Sequence, residues 1–494
     1  MSKPAIRVRY TDQPLPGSVP DRGLPARFAA IRAQFEVPVD FPADVLAEAT
    51  AVVADPVEWP SRDETAVPFL TIDPPGSMDL DQALHIERSG VGFRVRYAIA
   101  YLPAYVVPGG ALDTEARRRG QTIYAPDART PLHPPALSEG AASLLPDAVR
   151  AAYVWDMELA ESGAVTSAKV YRALVRSVNR FDYEEVQSAI DGGTDDERLR
   201  LLADVGERRL ALEKARGGAS LPMPEQQVTQ DADGVFALSF RPPQRAEEWN
   251  AQISLMTGMA AADLMMTAKV GLLRALPPPD QGAVARFRRQ AAALGVAWPP
   301  QERYGDLLRR LDRSDPKHLA LIYEATSLFR GSSYVAVNGA VPPQSEHSAI
   351  AGHYAHVTAP LRRLVDRFGL VIAECICAGQ PVPTWVIEAL PTLPDIMATT
   401  GRVASGVERA CTDTVEAAIL AHRVGEDFAA VVVDRAERGR LVLQLIDPAV
   451  IAMAVDSAAA PGDLVTARLI EATIATGTVL FQLIAPTTTA KVAG

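Results

Sequence analysis

Apolar residues recur at helical spacing twice near the start of the chain, from Leu24 to Phe35 and from Pro42 to Ala54. The intervening EVPVD offers a Pro to stop the first helix and an Asp, Asp40, to cap the second. The pattern predicts a small N-terminal helical module over residues 1–60, either a helix-turn-helix or a plain helical pair packed on the main domain. The first 22 residues, rich in Pro, Gly and Asp, read as loop. The period then changes. FRVRYAIAYL (93–102) alternates with β-branched positions and predicts a strand, whereas DDERLRLLADVGERRLALEKARGG (195–218) has helical spacing and ends on a double Gly. Strands concentrate early and helices later between residues 61 and 424, which predicts an α+β domain. From Gly425 the runs DFAAVVVD, GRLVLQLI, GDLVTARLIEA and GTVLFQLIA are separated by Gly, Pro and Asp turns. About five short strands in so short a stretch predict a small closed barrel of OB type over residues 425–494.

Length and composition add limits. At 494 residues the chain exceeds what one core usually supports, and its 48% apolar and 22% charged residues are those of a globular protein. The longest apolar run, Ile253 to Leu276, carries Asp263, Lys269 and Arg274 and reads as a buried helix, not a membrane span. The opening MSKPAIRVRY has no apolar leader core, so a cytoplasmic protein is expected, and a monomer. Three cysteines cannot build a disulfide framework and read as reduced core thiols. The seven histidines show no zinc spacing. A net charge of −11 argues against a polyanionic partner only globally, because a local groove can be basic. Basic clusters occur at EARRRG (115–120), RFRRQ (286–290) and PLRRLVDR (360–367), each of which reads as a solvated helix face when taken alone.

Candidate chemistry centres on TIDPPGSMDLDQAL (71–84), which places Asp73, Asp79 and Asp81 within nine residues. A strand ends at Asp73, turn residues come next, and Asp79 and Asp81 fall on one face if the return is extended. Carboxylates converging this closely repel unless a cation compensates, and oxygen-only ligands suit Mg²⁺ or Mn²⁺. An EF-hand loop is excluded because neither register has Gly at position 6 and Glu at position 12. From this segment alone a metal site and a solvated acidic turn stand equal.

The segment resembles the signature of the RNB family, the catalytic domain of RNase II and RNase R, which carries four aspartates as D, six residues on, D-x-D-D. Further blocks resemble the family in the same order: residues 97–146, with ALDTEA, RGQTIY and LSEGAASLLP; RFDYEEV (180–186); HYAHVTAPLRRLVD (353–366); and SGVERA (405–410). The resemblance implies an RNB domain over 61–424, a central mixed sheet surrounded by helices, and an RNA-binding OB barrel from 425. It also implies a 3′ to 5′ exoribonuclease that hydrolyses single-stranded RNA to nucleoside 5′-monophosphates, with Mg²⁺ as cofactor and Mn²⁺ as the alternative. Carboxylate-held metal can neutralise the scissile phosphate, generate hydroxide and assist the leaving oxygen.

By motif position, Asp73 and Asp81 are the expected metal ligands and Asp79 supports or shares them, with Asp81 the central catalytic aspartate. Arg362 would hold the phosphate, Tyr124 would stack on the terminal base, and Glu408 would read the ribose hydroxyl. The barrel is only weakly basic and aromatic, through Phe428, Phe481, Arg435, Arg438, Arg440 and Arg468. Several positions depart from the family. Gln82 stands where the fourth aspartate ligand is expected, Tyr101 where an Asp is usual, Leu364 where a Tyr is usual, and Asn250, Ala251 and Gln252 surround the place of paired glutamates. A rival expectation is therefore an RNA-binding protein with a catalytically impaired RNB domain. The stretch before residue 61 is too short for two cold-shock domains of about 60 to 80 residues each. A less restrictive entry and weaker discrimination against structured RNA are the expected result.

Overall fold

The computed structural model describes residues 6–11, 23–223, 225–231, 236–241, 243–436, 439–455 and 459–486. Arg438 and the Ala- and Thr-rich tail lie outside these residues, as does most of the segment expected to be loop before residue 23. Two five-stranded closed barrels organise the chain. The first runs Phe69–Ile72, Gln82–Ser89, Gly92–Ala100, Val149–Leu159 and Val165–Phe181. All neighbouring pairs are antiparallel except the closing one, where Phe69–Ile72 runs parallel to the end of Val165–Phe181. The sheet is thus mixed, as expected, and it closes on itself. Alternate residues Phe93, Val95, Tyr97 and Ile99 are buried in the main core, together with Trp155 and Met157 from the paired strand.

The second barrel takes its strands from Asp427–Arg435, Leu441–Leu445, Ile451–Ala454, Leu464–Thr473 and Thr478–Pro486, with the fifth lying between the third and fourth. Long helices join the barrels. Glu197–Arg216 begins on Asp196, whose carboxylate accepts from Arg198 N–H, and stops at Gly217 in the left-handed region (φ 96). Leu393–Leu420 packs along the second barrel and shares its core through Val407, Cys411 and Val415.

Four expectations are corrected by tertiary pairing. The run Ile253 to Leu276 is not one helix: Arg245–Ala268 is helical, Lys269 turns left-handed (φ 56), and Val270–Ala275 is a strand antiparallel to Ser333–Asn338. Gly271 permits the fold-back, since a Cβ there would sit 2.5 Å from Met265 Cγ. Residues 6–11, expected as loop, form a strand parallel to Glu225–Asp231, a partner too distant for local reading. Asp40 does not cap the second helix, which begins at Ala43 after Pro42 without a side-chain cap; its carbonyl accepts from Arg119 instead. The two N-terminal helices also serve different cores. Leu24, Phe28 and Ile31 of Leu24–Gln34 join the second barrel's cluster, while Val45, Ala49 and Val52 of Ala43–Ala54 join the first's. They are not a self-contained helix-turn-helix.

Candidate active site

The acidic loop leaves the first barrel where its parallel strands end. Asp73 N–H donates to Phe181 O (3.1 Å), a turn comes next with Gly76 at φ 78, and Ala100 N–H donates to Asp81 O (3.0 Å) as the chain re-enters the barrel. Between these ends the loop is fastened from outside. Ser143 Oγ donates to Met78 O (2.6 Å) and accepts from Leu80 N–H (2.9 Å), and Leu144 N–H donates to Leu80 O (3.0 Å). The block LSEGAASLLP therefore anchors the aspartate loop.

Asp81 is 3% exposed; its Oδ1 accepts from Leu361 N–H at 2.7 Å, and Oδ2 lies 3.4 Å from Arg362 Nε. Burial pushes its carboxyl well above the usual range, with Asp79 and Asp366 adding to the effect and Arg362 opposing it. Asp73 is pushed up to about 7, first by burial and then by Asp79, against the pull of Arg362 and Arg180. Among the described residues no donor hydrogen-bonds the Asp73 carboxylate. Asp79 points elsewhere, accepting from Arg129 Nη1 at 2.6 Å, while Arg129 Nη2 reaches Glu139 at 2.9 Å. The three aspartates are thus neighbours in field: Asp79 shares Arg129 with Glu139, Asp81 faces Arg362, and Asp73 has no ion pair among the described residues. Among the described residues no three His, Cys, Asp or Glu side chains form a ready cation cage. Gln82 Oε1 accepts from Tyr97 OH, with Ser254 Oγ at 3.5 Å.

A cleft of about 340 Å³ brings together Tyr124, Arg362 and Glu408, along with Gln121, Thr122 and Ser405. The Tyr124 ring is 47% exposed in its wall, so it is not a core residue. Backbone pairing explains why the distant blocks meet: Thr122 N–H donates to Arg362 O (2.9 Å) and Leu364 N–H to Gly120 O (2.9 Å). Gly120 (φ 66) must be glycine, since a Cβ would sit 2.3 Å from Thr400 Oγ1 of the helix that carries Glu408. The turn at Ala359 is held by Asp366, which accepts from Ala359 N–H (2.7 Å) and from both Nε and Nη2 of Arg363 (2.9 Å). Within that cluster, Arg362 is left to face the acidic loop.

Most of the other clustered arginines are paired with carboxylates. Arg118 and Arg119 bind Glu115, Arg117 and the buried Arg367 bind Asp113, and Arg286 binds Glu324. In the second barrel Phe428 and Phe481 pack on each other in the core, Arg468 pairs with Asp427, and Arg435 binds Ala459 O, so these residues offer no aromatic, basic funnel. Tyr323 OH on the helix Pro316–Ala325 donates to Gln444 Oε1 (2.8 Å), covering part of that barrel. The departures from the family pattern at Tyr101 and Gln252 are absorbed into packing. Tyr101 is buried and donates to Glu58, and Gln252 donates to Glu213. Sequence reading missed Arg129, Ser143, Tyr97 and Ser254. The first three lie inside the quoted 97–146 block, but nothing in their spacing distinguishes them.

Fold and site together define a class: two five-stranded barrels bridged by helices, with an aspartate loop at the mouth of the first and a cleft walled by an aromatic ring, an arginine and a glutamate. The chain matches the RNB domain over residues 61–371 and the RNase II-type exonuclease C-terminal S1 domain over residues 426–484. It belongs to the RNB family. Ribonuclease R of Vibrio cholerae is 29% identical over 355 residues, which are 67% of this chain and 42% of that protein. The chain therefore spans well under two thirds of that relative's length. In structure it is similar to Mycoplasma genitalium RNase R in complex with ribose methylated single-stranded RNA, with a TM-score of 0.84 at 19% identity over 94% of this chain and 78% of that one. Yeast Ssd1, a pseudonuclease, is also similar, with a TM-score of 0.65 at 15% identity over 84% of this chain and 53% of that one. The fold is common to nucleases and a pseudonuclease, so the side chains must carry any argument about activity.

Proposed function

We propose that the protein is a 3′ to 5′ exoribonuclease that hydrolyses single-stranded RNA to nucleoside 5′-monophosphates, with Mg²⁺ as its ion. The observation that carries this reading is the cleft in which Tyr124, Arg362 and Glu408 converge beside Asp81. A nuclease acting on a chain end needs a surface for the last base, a cation for its phosphate and an acceptor for its sugar, and these three side chains supply them. The complex of Mycoplasma genitalium RNase R with ribose methylated single-stranded RNA, on a similar fold, favours the same substrate.

A divalent ion fits the acidic loop: Asp73 and Asp81 are oxygen donors, burial raises both carboxyls, and Asp73 has no hydrogen-bond donor among the described residues. Asp73 and Asp81 would hold it directly, with Asp79 kept close by Arg129. When bound, the ion supplies charge neutralisation at the scissile phosphate and acidifies an attacking water. Tyr124 fixes the terminal base by stacking on its open ring, which every base can accept. Glu408 accepts from a ribose hydroxyl, the group that separates RNA from DNA. Arg362, oriented by Asp81 at 3.4 Å, presents its remaining N–H groups to the phosphate and stabilises the charge that develops there. Leu361 N–H holds Asp81 in place, so the turn that carries the arginine also sets the aspartate.

The test is incubation of the purified chain with 5′-labelled oligo(A) and with the matching DNA oligomer in Mg²⁺. Stepwise shortening of the RNA to a small limit product, with the DNA left intact, is the expected result. RNA that is bound but stays full length would sink the reading and favour an RNA-binding protein with an impaired centre.

A further inference from the structure

Gln82 follows Asp81 directly, yet its side chain is engaged away from the loop. Its Oε1 accepts from Tyr97 OH, Ser254 Oγ stands 3.5 Å from the same oxygen, and the two hydroxyls are 2.8 Å apart. Tyr97 is buried, and Asp73 and Asp81 both act on its hydroxyl electrostatically. A carbonyl oxygen that accepts from a buried hydroxyl cannot turn to a cation without leaving that hydroxyl unpaired. A neutral amide also brings no charge in exchange.

Charge balance points the same way. Around the loop stand the carboxylates of Asp73, Asp79, Asp81 and Glu139, against the guanidiniums of Arg129, Arg362 and Arg180. Four negative charges and three positive ones leave one negative. One divalent ion turns this to one positive, which a single phosphodiester neutralises. A second divalent ion would leave two uncompensated positive charges beside three arginines.

We propose that the centre holds one divalent cation, between Asp73 and Asp81, and that Gln82, Tyr97 and Ser254 form a neutral wall that closes the place of a second. This deepens the nuclease reading and rests on it for the presence of an ion, but its test needs no RNA. Mn²⁺ titration of the full chain, followed by electron paramagnetic resonance, is expected to give one tightly bound ion per chain with no Mn–Mn coupling. Gln82→Asp adds the missing charge and is expected to bring in a second ion, with coupling, at an affinity at least tenfold above any second binding by wild type. Two wild-type ions within tenfold of each other in affinity would overturn the proposal, as would a folded Gln82→Asp that still binds one. If Gln82→Asp does not fold, the wild-type stoichiometry and coupling decide alone. One bound ion without RNA hydrolysis would refute the nuclease reading and leave this inference standing. Two ions with hydrolysis would do the reverse.

Discussion

Replacing Asp81 by Asn separates the chemistry of the site from its contribution to stability. The amide is nearly isosteric, and its Oδ1 can keep the 2.7 Å bond from Leu361 N–H that holds the 361–363 turn. What changes is the charge. Asp81 is 3% exposed and its carboxyl is held well above the ordinary range, first by burial and then by Asp79 and Asp366. A raised carboxyl means that the ionised form is disfavoured in the folded chain. Stability from this group is therefore complete below the usual carboxylate pKa and is lost as pH rises. The neutral amide removes that loss, and Arg362, 42% exposed, can exchange its Asp81 partner for water, so without metal at pH 7.5 Asp81→Asn is expected to be more stable than wild type by about 0.5–2 kcal/mol, as for other relieved active-site positions. Activity should move the other way. Losing an anionic ligand removes several kcal/mol of transition-state stabilisation, and about 4 kcal/mol is a thousandfold in rate. Single-turnover decay of 5′-labelled oligo(A) measures the rate, and calorimetry in a chelator measures stability. A variant within tenfold of wild type in rate, or one that melts several degrees lower, would refute the reasoning.

Tyr124→Ala should leave the melting temperature nearly unchanged, because the ring is 47% exposed. It should weaken RNA binding by about 1–3 kcal/mol, the usual worth of one stacked base, as read by fluorescence anisotropy. Asp113→Asn should lower stability by about 3–5 kcal/mol. The Asp113 carboxylate is buried, and although burial raises it, Arg367 and the Gly109 N–H hold it below the usual range. The change leaves Arg367 buried against an amide, and urea unfolding measures the loss. Mn²⁺ affinity should depend on pH through Asp73. Its carboxyl sits at about 7, so an ion must displace a proton below that value. Affinity is expected to fall as pH drops below about 7, where both raised carboxyls take up protons in competition with the ion, and this dependence should be shallower in Asp73→Asn.

Much of the fold was legible because it rests on local rules. The helix Glu197–Arg216 was readable from its spacing and its Gly stop, each of which acts within a turn or two of chain. The strands of the second barrel were readable from alternation between turn residues. The helix-to-strand switch at Lys269 was not, because Val270–Ala275 is a strand only through pairing with Ser333–Asn338, and an apolar run does not announce a distant partner. The same limit governed the basic clusters. Charge density could not distinguish Arg362, which faces the acidic loop, from Arg363 and Arg367, which are consumed by Asp366 and Asp113.

The sequence by itself determined the element types and the order of the blocks, and with them the family, since these depend on residue identity and short-range spacing. It also brought Asp73, Asp79 and Asp81 into one loop. Only the tertiary structure decided what each carboxylate faces. Asp79 is tied to Arg129, Asp81 is held by the turn at Leu361 and Arg362, and Asp73 is left without a hydrogen-bond donor among the described residues. Gln82, which reads in sequence as a weakened ligand, stands in the fold as the acceptor of a buried tyrosine. Whether an oxygen can bind a cation depends on which donors already occupy it, and those donors come from strands and helices far away in the chain.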